Sequence, residues 1–129
     1  MARILLAEDD SELRGLLCQT LADAGHLVSV ASDGQEACRR MKQDVFDLLV
    51  TDVLMPERDG LEVITQFRLS FPQAKVLAIS GGGARFGMGL CLELAHRFGA
   101  DEVLTKPFTL GDLVQAVDRV RRAAGSVKN

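Results

Sequence analysis

The sequence lacks the features that mark several specialised classes of protein. Only three of its 129 residues are cysteine and no two form a Cys-x-x-Cys pair, so neither a zinc site nor a disulfide framework is predicted. The net charge is −3 and no long Lys/Arg block occurs, which argues against binding to nucleic acid or anionic lipid. No apolar run approaches the ~20 residues of a bilayer span, and no export signal is seen. We therefore expect a cytoplasmic protein with no direct nucleic-acid partner and no membrane partner.

What the sequence does contain is a regular alternation of short aliphatic runs and longer stretches of helical period, which is typical of βα units on a parallel sheet. The aliphatic runs are residues 4–7, 27–31, 46–51, 76–80 and 103–104. Five such units predict an α/β fold, a doubly wound (βα)5 arrangement with a five-stranded parallel sheet. We assign residues 1–123 to this single domain and residues 124–129 to a C-terminal tail.

Capping residues and apolar stripes indicate the helices. Ser32 and Gln35 have the spacing of a capping box for the second helix, and Thr109 and Asp112 have it for the last. Apolar residues recur at three- and four-residue steps, which predicts a face packed on the sheet. In the first helix these are Leu13, Leu16, Leu17 and Leu21, and in the last helix they are Leu110, Leu113, Val114, Val117 and Val120.

Charged and polar side chains follow four of the five predicted strands. They are Glu8, Asp9 and Asp10 after the first strand, Asp52 after the third, Ser80 at the end of the fourth, and Lys106 with Pro107 after the fifth. In a doubly wound fold the carboxyl ends of the strands meet at one edge of the sheet, where ligands bind. We therefore expect these remote residues to form one charged pocket.

The chemistry of this pocket points to a metal ion and a phosphoryl group. Clustered carboxylates repel one another unless a cation joins them, and an all-oxygen ligand set suits Mg²⁺ better than zinc. A carboxylate beside Mg²⁺ and the Lys106 ammonium can attack phosphorus, because the two cations absorb charge on the phosphoryl oxygens. Asp52 is then the candidate phosphoacceptor. Each residue alone has an ordinary explanation as a turn residue, a cap or a helix-dipole partner, and only their coincidence favours the functional interpretation.

The chain resembles the receiver domains of the two-component response-regulator family over essentially its whole length. The matching segments are residues 3–10 with Arg14, residues 52–56 with 59–60, residues 78–80 and residues 104–108. Arg14 lies five residues after Asp9, the spacing that the family shows from its direct metal ligand. We therefore take Glu8 and Asp9 as the acidic pair and Asp10 as the N-cap of the first helix.

The resemblance implies a sheet order of 2-1-3-4-5 and a function for each matching residue. Asp52 would accept a phosphoryl group from a sensor histidine kinase or phosphotransfer protein, and a downstream effector protein or effector domain would respond. Asp9, Asp52 and the main-chain carbonyl of Leu54 would bind Mg²⁺, with Glu8 acting mainly through metal-bound water. Ser80 and Lys106 would hold the phosphoryl group, and Pro107 is the candidate for a cis peptide bond.

The sequence departs from the family pattern around the expected switch positions, Ser80, Gly81 and Val103. The family usually has an aromatic residue three positions before the lysine, where this chain has Val103. The step from Ser80 to Lys106 is also long, and the extra length falls in the glycine-rich residues 81–89. The glycine content and the extra length of this segment predict a mobile loop. The segment matches neither a dinucleotide-binding loop nor a P-loop.

Two other functions share parts of the pattern. A phosphohydrolase with an aspartyl nucleophile would also use Asp52, Mg²⁺ and Lys106, but such enzymes commonly need a second acid two residues after the nucleophile, where this chain has Leu54. A flavodoxin-like binding module would need apolar or aromatic surfaces for a ring, and the chain has no Trp and no Tyr. The receiver is the interpretation we favour, with no enzymatic activity beyond gaining and losing its own phosphoryl group.

Overall fold

The computed structural model describes residues 1–53, 60–80 and 96–127, with side chains through residue 122. The strands are β1 (Arg3–Ala7), β2 (Leu27–Ala31), β3 (Leu48–Asp52), β4 (Lys75–Ser80) and β5 (Glu102–Thr105). The helices are α1 (Ser11–Asp23), α2 (Gly34–Gln43), α3 (Gly60–Ser70) and α4 (Leu110–Val127). The glycine-rich residues 81–89 lie outside the described part of the chain. Among the described helices, none is both long enough and apolar enough to cross a bilayer.

The strands form one parallel sheet in the order β2-β1-β3-β4-β5, which confirms the predicted fold class. Strand β1 lies between β2 and β3, so the chain moves to one side of β1 and then returns to its other side. The direction of winding therefore reverses between β1 and β3. In this class of fold the crevice at that reversal, beyond the carboxyl ends of the strands, is the preferred place for a ligand.

Both faces of the sheet are covered by helices. Alternate residues of each central strand point to opposite faces, so each strand contributes side chains to the core on both sides. On one face, Leu5 and Leu49 pack with α2 and α3, where Ile64 and Phe67 are fully buried. On the other face, the intervening strand residues pack with α1 and α4. These residues are Ile4, Leu6, Leu48, Val50, Leu77 and Ile79. The two core clusters, one on each face of the sheet, hold the strand ends on which the candidate site depends.

The cap of α2 differs from the prediction by one residue. Asp33 is the N-cap, and its carboxylate accepts from the N–H of Glu36 at 2.8 Å. Glu36 in turn accepts from the N–H of Ser32 at 2.7 Å, one residue before the N-cap, so the capping pair is Asp33 with Glu36 and does not include Gln35. An ionised carboxylate at each position makes charge-assisted bonds, which favours this pair over Ser32 with Gln35.

The box that opens α4 is confirmed. Asp112 accepts from the N–H of Thr109, and Thr109 Oγ1 accepts from the N–H of Asp112, both at 3.0 Å. The helix continues to Val127, past the expected domain end at residue 123, because residues 121–124 are good helix formers. The prediction that Leu16 and Leu110 face the core is wrong, since they are 50% and 38% exposed. Each lies at the edge of a stripe that is wider than the buried face of its helix.

Candidate functional site

The sheet register aligns the ends of β1 and β3. Ala7 pairs with Thr51, so the next residues along the two strands, Glu8 and Asp52, lie at the same level of the sheet. Asp52 is the last residue of β3 and not, as predicted, the residue after it. Its place inside the strand leaves its side chain 7% exposed. The candidate phosphoacceptor is therefore held by the sheet itself.

The ends of β4 and β5 meet at the same edge. Ser80 pairs with Thr105, and the N–H of Lys106 donates to the Ser80 carbonyl at 2.9 Å. The peptide bond between Lys106 and Pro107 is cis. Lys106 Nζ lies 3.3 Å from Asp52 Oδ2, which joins the end of β5 to the end of β3 across β4. Ser80 is fully buried.

Three carboxylates meet at this edge. Oxygen atoms of Glu8, Asp9 and Asp52 all lie within 4.8 Å of one another. Glu8 and Asp52 are buried, with 1% and 5% of their surfaces exposed, whereas Asp9 is exposed. One side of the cluster is therefore enclosed by protein and the other is open to a ligand.

Glu8 is the most buried of the three acids. Its Oε2 accepts from the N–H of Asp10 at 3.1 Å, but its buried Oε1 has no hydrogen-bond partner among the described residues. Burial raises the pKa of Glu8 to about 7; the nearby Asp52 charge also raises it, against the lowering effects of the Asp10 N–H and the Lys106 ammonium. A buried acid with a free oxygen is stabilised as a carboxylate when a cation arrives.

Asp10 is not part of this cluster. Its Oδ1 accepts from the N–H groups of Glu12 and Leu13 at 3.0 and 3.1 Å, which makes it the N-cap of α1. The three consecutive acids are therefore divided between two tasks, with the side chains of Glu8 and Asp9 in the pocket and that of Asp10 on the helix.

The expected switch positions are only partly described. Val103 lies on β5 opposite Ala78, half-buried and packed against the core cluster on the α2 and α3 side of the sheet. Gly81 and Leu54 lie outside the described residues, so the predicted carbonyl ligand at Leu54 stays a prediction.

The sequence interpretation gave no role in the site to Gly60 and Arg14. A Cβ at Gly60 would lie 2.0 Å from the main-chain oxygen of Asp52, so only glycine permits α3 to start against the end of β3. Arg14 Nη1 donates to the carbonyls of Glu8 and Asp9 at 2.9 and 3.4 Å. The matched family segments include both residues, but neither contact can be read from residue type or spacing.

The cluster fits a hard divalent cation. The available donors are carboxylate oxygens from Glu8, Asp9 and Asp52, which are the ligands that Mg²⁺ prefers, and the exposed side leaves room for water. Glu8 Oε1, which has no partner in the described part of the chain, supplies an independent sign, because a buried polar atom without a partner is costly unless a ligand or water satisfies it. These residues could therefore hold Mg²⁺.

Known proteins of one family match this chain over most of its length. The family model of the response regulator receiver domain matches residues 4–118. The response regulator receiver protein CpdR of Brucella abortus is 38% identical over 96% of this chain and 100% of its own length. The transcriptional regulatory protein CpxR of Klebsiella pneumoniae is 37% identical over 95% of this chain, but the match spans only 50% of CpxR.

Solved structures agree with the fold. The structure of NtrX from Brucella abortus superposes with a TM-score of 0.88 at 26% identity, over 98% of this chain and 28% of that one. The chemotaxis protein CheY4 of Vibrio cholerae superposes with a TM-score of 0.83 at 29% identity, over 93% of this chain and 98% of that one. The chain belongs to the response regulator receiver domain family, the phosphorylation-activated switches of two-component signal transduction.

Proposed function

We propose that this receiver accepts its phosphoryl group on Asp52, with Mg²⁺ bound by Asp9 and Asp52 and with Glu8 acting mainly through metal-bound water. The observation that carries the proposal is the Asp52 carboxylate itself. It is buried at the β1/β3 reversal, 3.3 Å from Lys106 Nζ and within 4.8 Å of two further carboxylates. An ordinary surface aspartate has no reason to lie between an ammonium and an acidic cluster.

This geometry supports a phosphoryl transfer to Asp52. An Asp52 carboxylate oxygen attacks the phosphorus of a phosphohistidine on a sensor kinase or phosphotransfer protein, and a P–O bond forms as the P–N bond breaks. The bonding electron pair stays on the imidazole nitrogen of the donor. Bound Mg²⁺ would neutralise charge on the phosphoryl oxygens during this exchange.

Lys106 and Ser80 receive the transferred group. The Lys106 ammonium, already in contact with Asp52, is placed to pair with a phosphoryl oxygen after transfer. The Ser80 hydroxyl would donate to another phosphoryl oxygen, a bond that exists only in the phosphorylated state. That difference supplies the free energy that a switch requires, without an aromatic residue at Val103. The segment that begins at Gly81 would pass the change to an effector protein or effector domain.

The proposed chemistry stops at gaining and losing this group. Leu54 offers no general acid two residues after Asp52, so we propose that the chain is a switch and not a phosphohydrolase. It spans all of CpdR but half of CpxR and 24% of NtrC from Azospirillum brasilense, so its shared activity is that of the receiver part.

Intact-mass spectrometry tests the proposal. The wild-type chain, incubated with acetyl phosphate and Mg²⁺, should gain the mass of one phosphoryl group, and Asp52→Asn should gain none. Asp44→Asn, a change at an exposed aspartate that pairs with Arg3, serves as the matched control and should label like the wild type. Removal of Mg²⁺ with EDTA should abolish uptake. Equal labelling of Asp52→Asn and wild type would refute the assignment.

A further inference from the structure

The connection between β1 and α1 has to hold two acidic side chains close together and still leave carboxylate oxygens available to a metal ion. Residues 8–10 make this connection, and two of them, Glu8 and Asp9, contribute carboxylates to the cluster. Any cationic side chain that paired with those carboxylates would compete directly with a metal ion for the same oxygen atoms. A cationic side chain that helps to fix this connection must therefore bind its main chain.

Arg14 makes such main-chain contacts. It lies at the end of the first turn of α1, half-buried, and its Nη1 donates to the Glu8 carbonyl at 2.9 Å and the Asp9 carbonyl at 3.4 Å. No contact of Arg14 among the described residues reaches a carboxylate oxygen. Lys106 is different, because its ammonium lies directly on Asp52 Oδ2.

Other contacts fix the Glu8 end of the connection. The N–H of Glu8 donates to the Ala31 carbonyl at 3.0 Å, and Glu8 Oε2 accepts from the N–H of Asp10 at 3.1 Å. These bonds anchor Glu8 to β2 and to the start of α1. Asp9 is exposed between Glu8 and Asp10, and the Arg14 contact to its carbonyl links this exposed position to the helix.

We propose that Arg14 is a positioning residue for the metal site, holding the main chain of Glu8 and Asp9 so that their carboxylates converge on Asp52 before the metal arrives. The inference rests on the proposed function, because it concerns the same Mg²⁺ site. The positive charge of Arg14 offsets part of the repulsion among the three acids. Its hydrogen bonds reduce the conformational freedom that metal binding would otherwise have to remove. Outer contacts of this kind typically contribute a factor of about 10 to 100 in metal affinity.

Three variants separate this role from a general effect of charge or fold. Arg14→Met keeps an unbranched stem but removes every donor, and Arg14→Lys keeps the charge but lacks the forked guanidinium. Arg122→Met is the matched control. Arg122 is exposed near the far end of α4, a helix that begins beside Lys106 and runs away from the site. It removes the same charge and the same donors elsewhere on the chain.

Isothermal titration with Mg²⁺ gives the first readout. We expect Arg14→Met to weaken binding about 10-fold or more, Arg14→Lys to weaken it less, and Arg122→Met to stay within about twofold of wild type. If Arg14→Met does not fold by circular dichroism in EDTA, Arg14→Lys carries the test. Arg14 variants that fold and bind Mg²⁺ like Arg122→Met overturn the inference.

The Mg²⁺ dependence of phosphoryl uptake gives the second readout. A positioning role raises the Mg²⁺ concentration for half-maximal uptake by the same factor as the dissociation constant and leaves the maximal rate within about twofold. A lower maximal rate with an unchanged Mg²⁺ requirement would contradict the inference. Failure of the wild type itself to bind Mg²⁺ or take up phosphoryl would instead refute the proposed function, so the two failures are distinguishable.

Discussion

Asp9 and Asp10 are adjacent and carry the same functional group, yet the backbone directs them to different tasks. Asp9 joins the carboxylate cluster, whereas Asp10 accepts two N–H bonds at the start of α1. We predict that Asp9→Ala strongly weakens Mg²⁺ binding with little effect on stability. Asp10→Ala should lower the free energy of unfolding by about 1 kcal/mol, the usual contribution of an N-cap, and leave Mg²⁺ affinity near wild type.

Metal titration and urea denaturation of the two variants test this division. The same pair of measurements on Asp23→Ala, a change at the exposed end of α1, controls for the loss of a carboxylate. Loss of Mg²⁺ binding in Asp10→Ala alone would place the metal pair one residue further along the chain.

The fold also constrains the ionisation of His26. It is buried, and its Nδ1 accepts from the N–H of Ala2 at 3.0 Å, an arrangement open only to an unprotonated Nδ1. Burial lowers the pKa of His26, and the positive charges of Arg121 and the N-terminal amine lower it further against the opposing effect of Asp118. The unfolded chain therefore binds a proton at higher pH than the folded chain, and stability falls as the pH drops below the ordinary histidine pKa of 6.5.

We predict that His26→Asn, which keeps a side-chain acceptor but cannot titrate, loses this part of the pH dependence. Glu8 acts in the opposite direction, because its raised pKa stabilises the fold as the pH falls, but it does so equally in both proteins. Urea denaturation from about pH 7.5 to about pH 5 measures the unfolding free energy of both proteins. As the pH falls, the variant should become more stable relative to the wild type. Parallel pH profiles would contradict the prediction.

The start of α3 can lie against the end of β3 only because Gly60 has no side chain. A Cβ at Gly60 would overlap the Asp52 carbonyl, a main-chain atom that cannot move without displacing β3. We predict that Gly60→Ala lowers the free energy of unfolding by about 2–3 kcal/mol and slows phosphoryl uptake, because Asp52 must shift.

Gly15 provides the matched control within the same chain. It lies on the exposed side of α1, and a Cβ there would meet nothing within 4 Å. Gly15→Ala should therefore raise the free energy of unfolding by about 0.5–1 kcal/mol, since alanine favours the helix. Urea denaturation followed by circular dichroism compares the two. A Gly60→Ala variant as stable as Gly15→Ala would show that α3 does not depend on this close approach.

The elements themselves could largely be predicted from the sequence, because burial of both faces of the sheet requires the continuous aliphatic runs that mark the strands. Element ends were harder. The cap of α2 was misplaced by one residue because Ser32 with Gln35 and Asp33 with Glu36 have the same spacing, and only the folded backbone selects between them. The exposure of Leu16 was missed because an apolar stripe does not reveal where the neighbouring helix ends its contact.

The order of the strands in the sheet brings the residues of the site together. Because β1 lies between β2 and β3, the acids that follow β1 meet Asp52, and the parallel register brings Lys106 to the same edge. Residue types at strand ends were enough to predict this convergence. The unpartnered Glu8 Oε1 and the Arg14 contacts were not predictable, since they depend on rotamers and on packing between residues far apart in the sequence.

We predict that Asp52, and no other carboxylate, carries the phosphoryl group. Borohydride reduces an aspartyl phosphate to homoserine and leaves ordinary carboxylates unchanged, so it records the acceptor permanently. We predict that the wild-type chain, treated with acetyl phosphate and Mg²⁺, then reduced, digested with trypsin and sequenced by tandem mass spectrometry, shows homoserine at position 52 in the peptide of residues 43–58. Homoserine at position 9, 44 or 47, or a phosphorylated chain without homoserine, would show that Asp52 is not the phosphoacceptor.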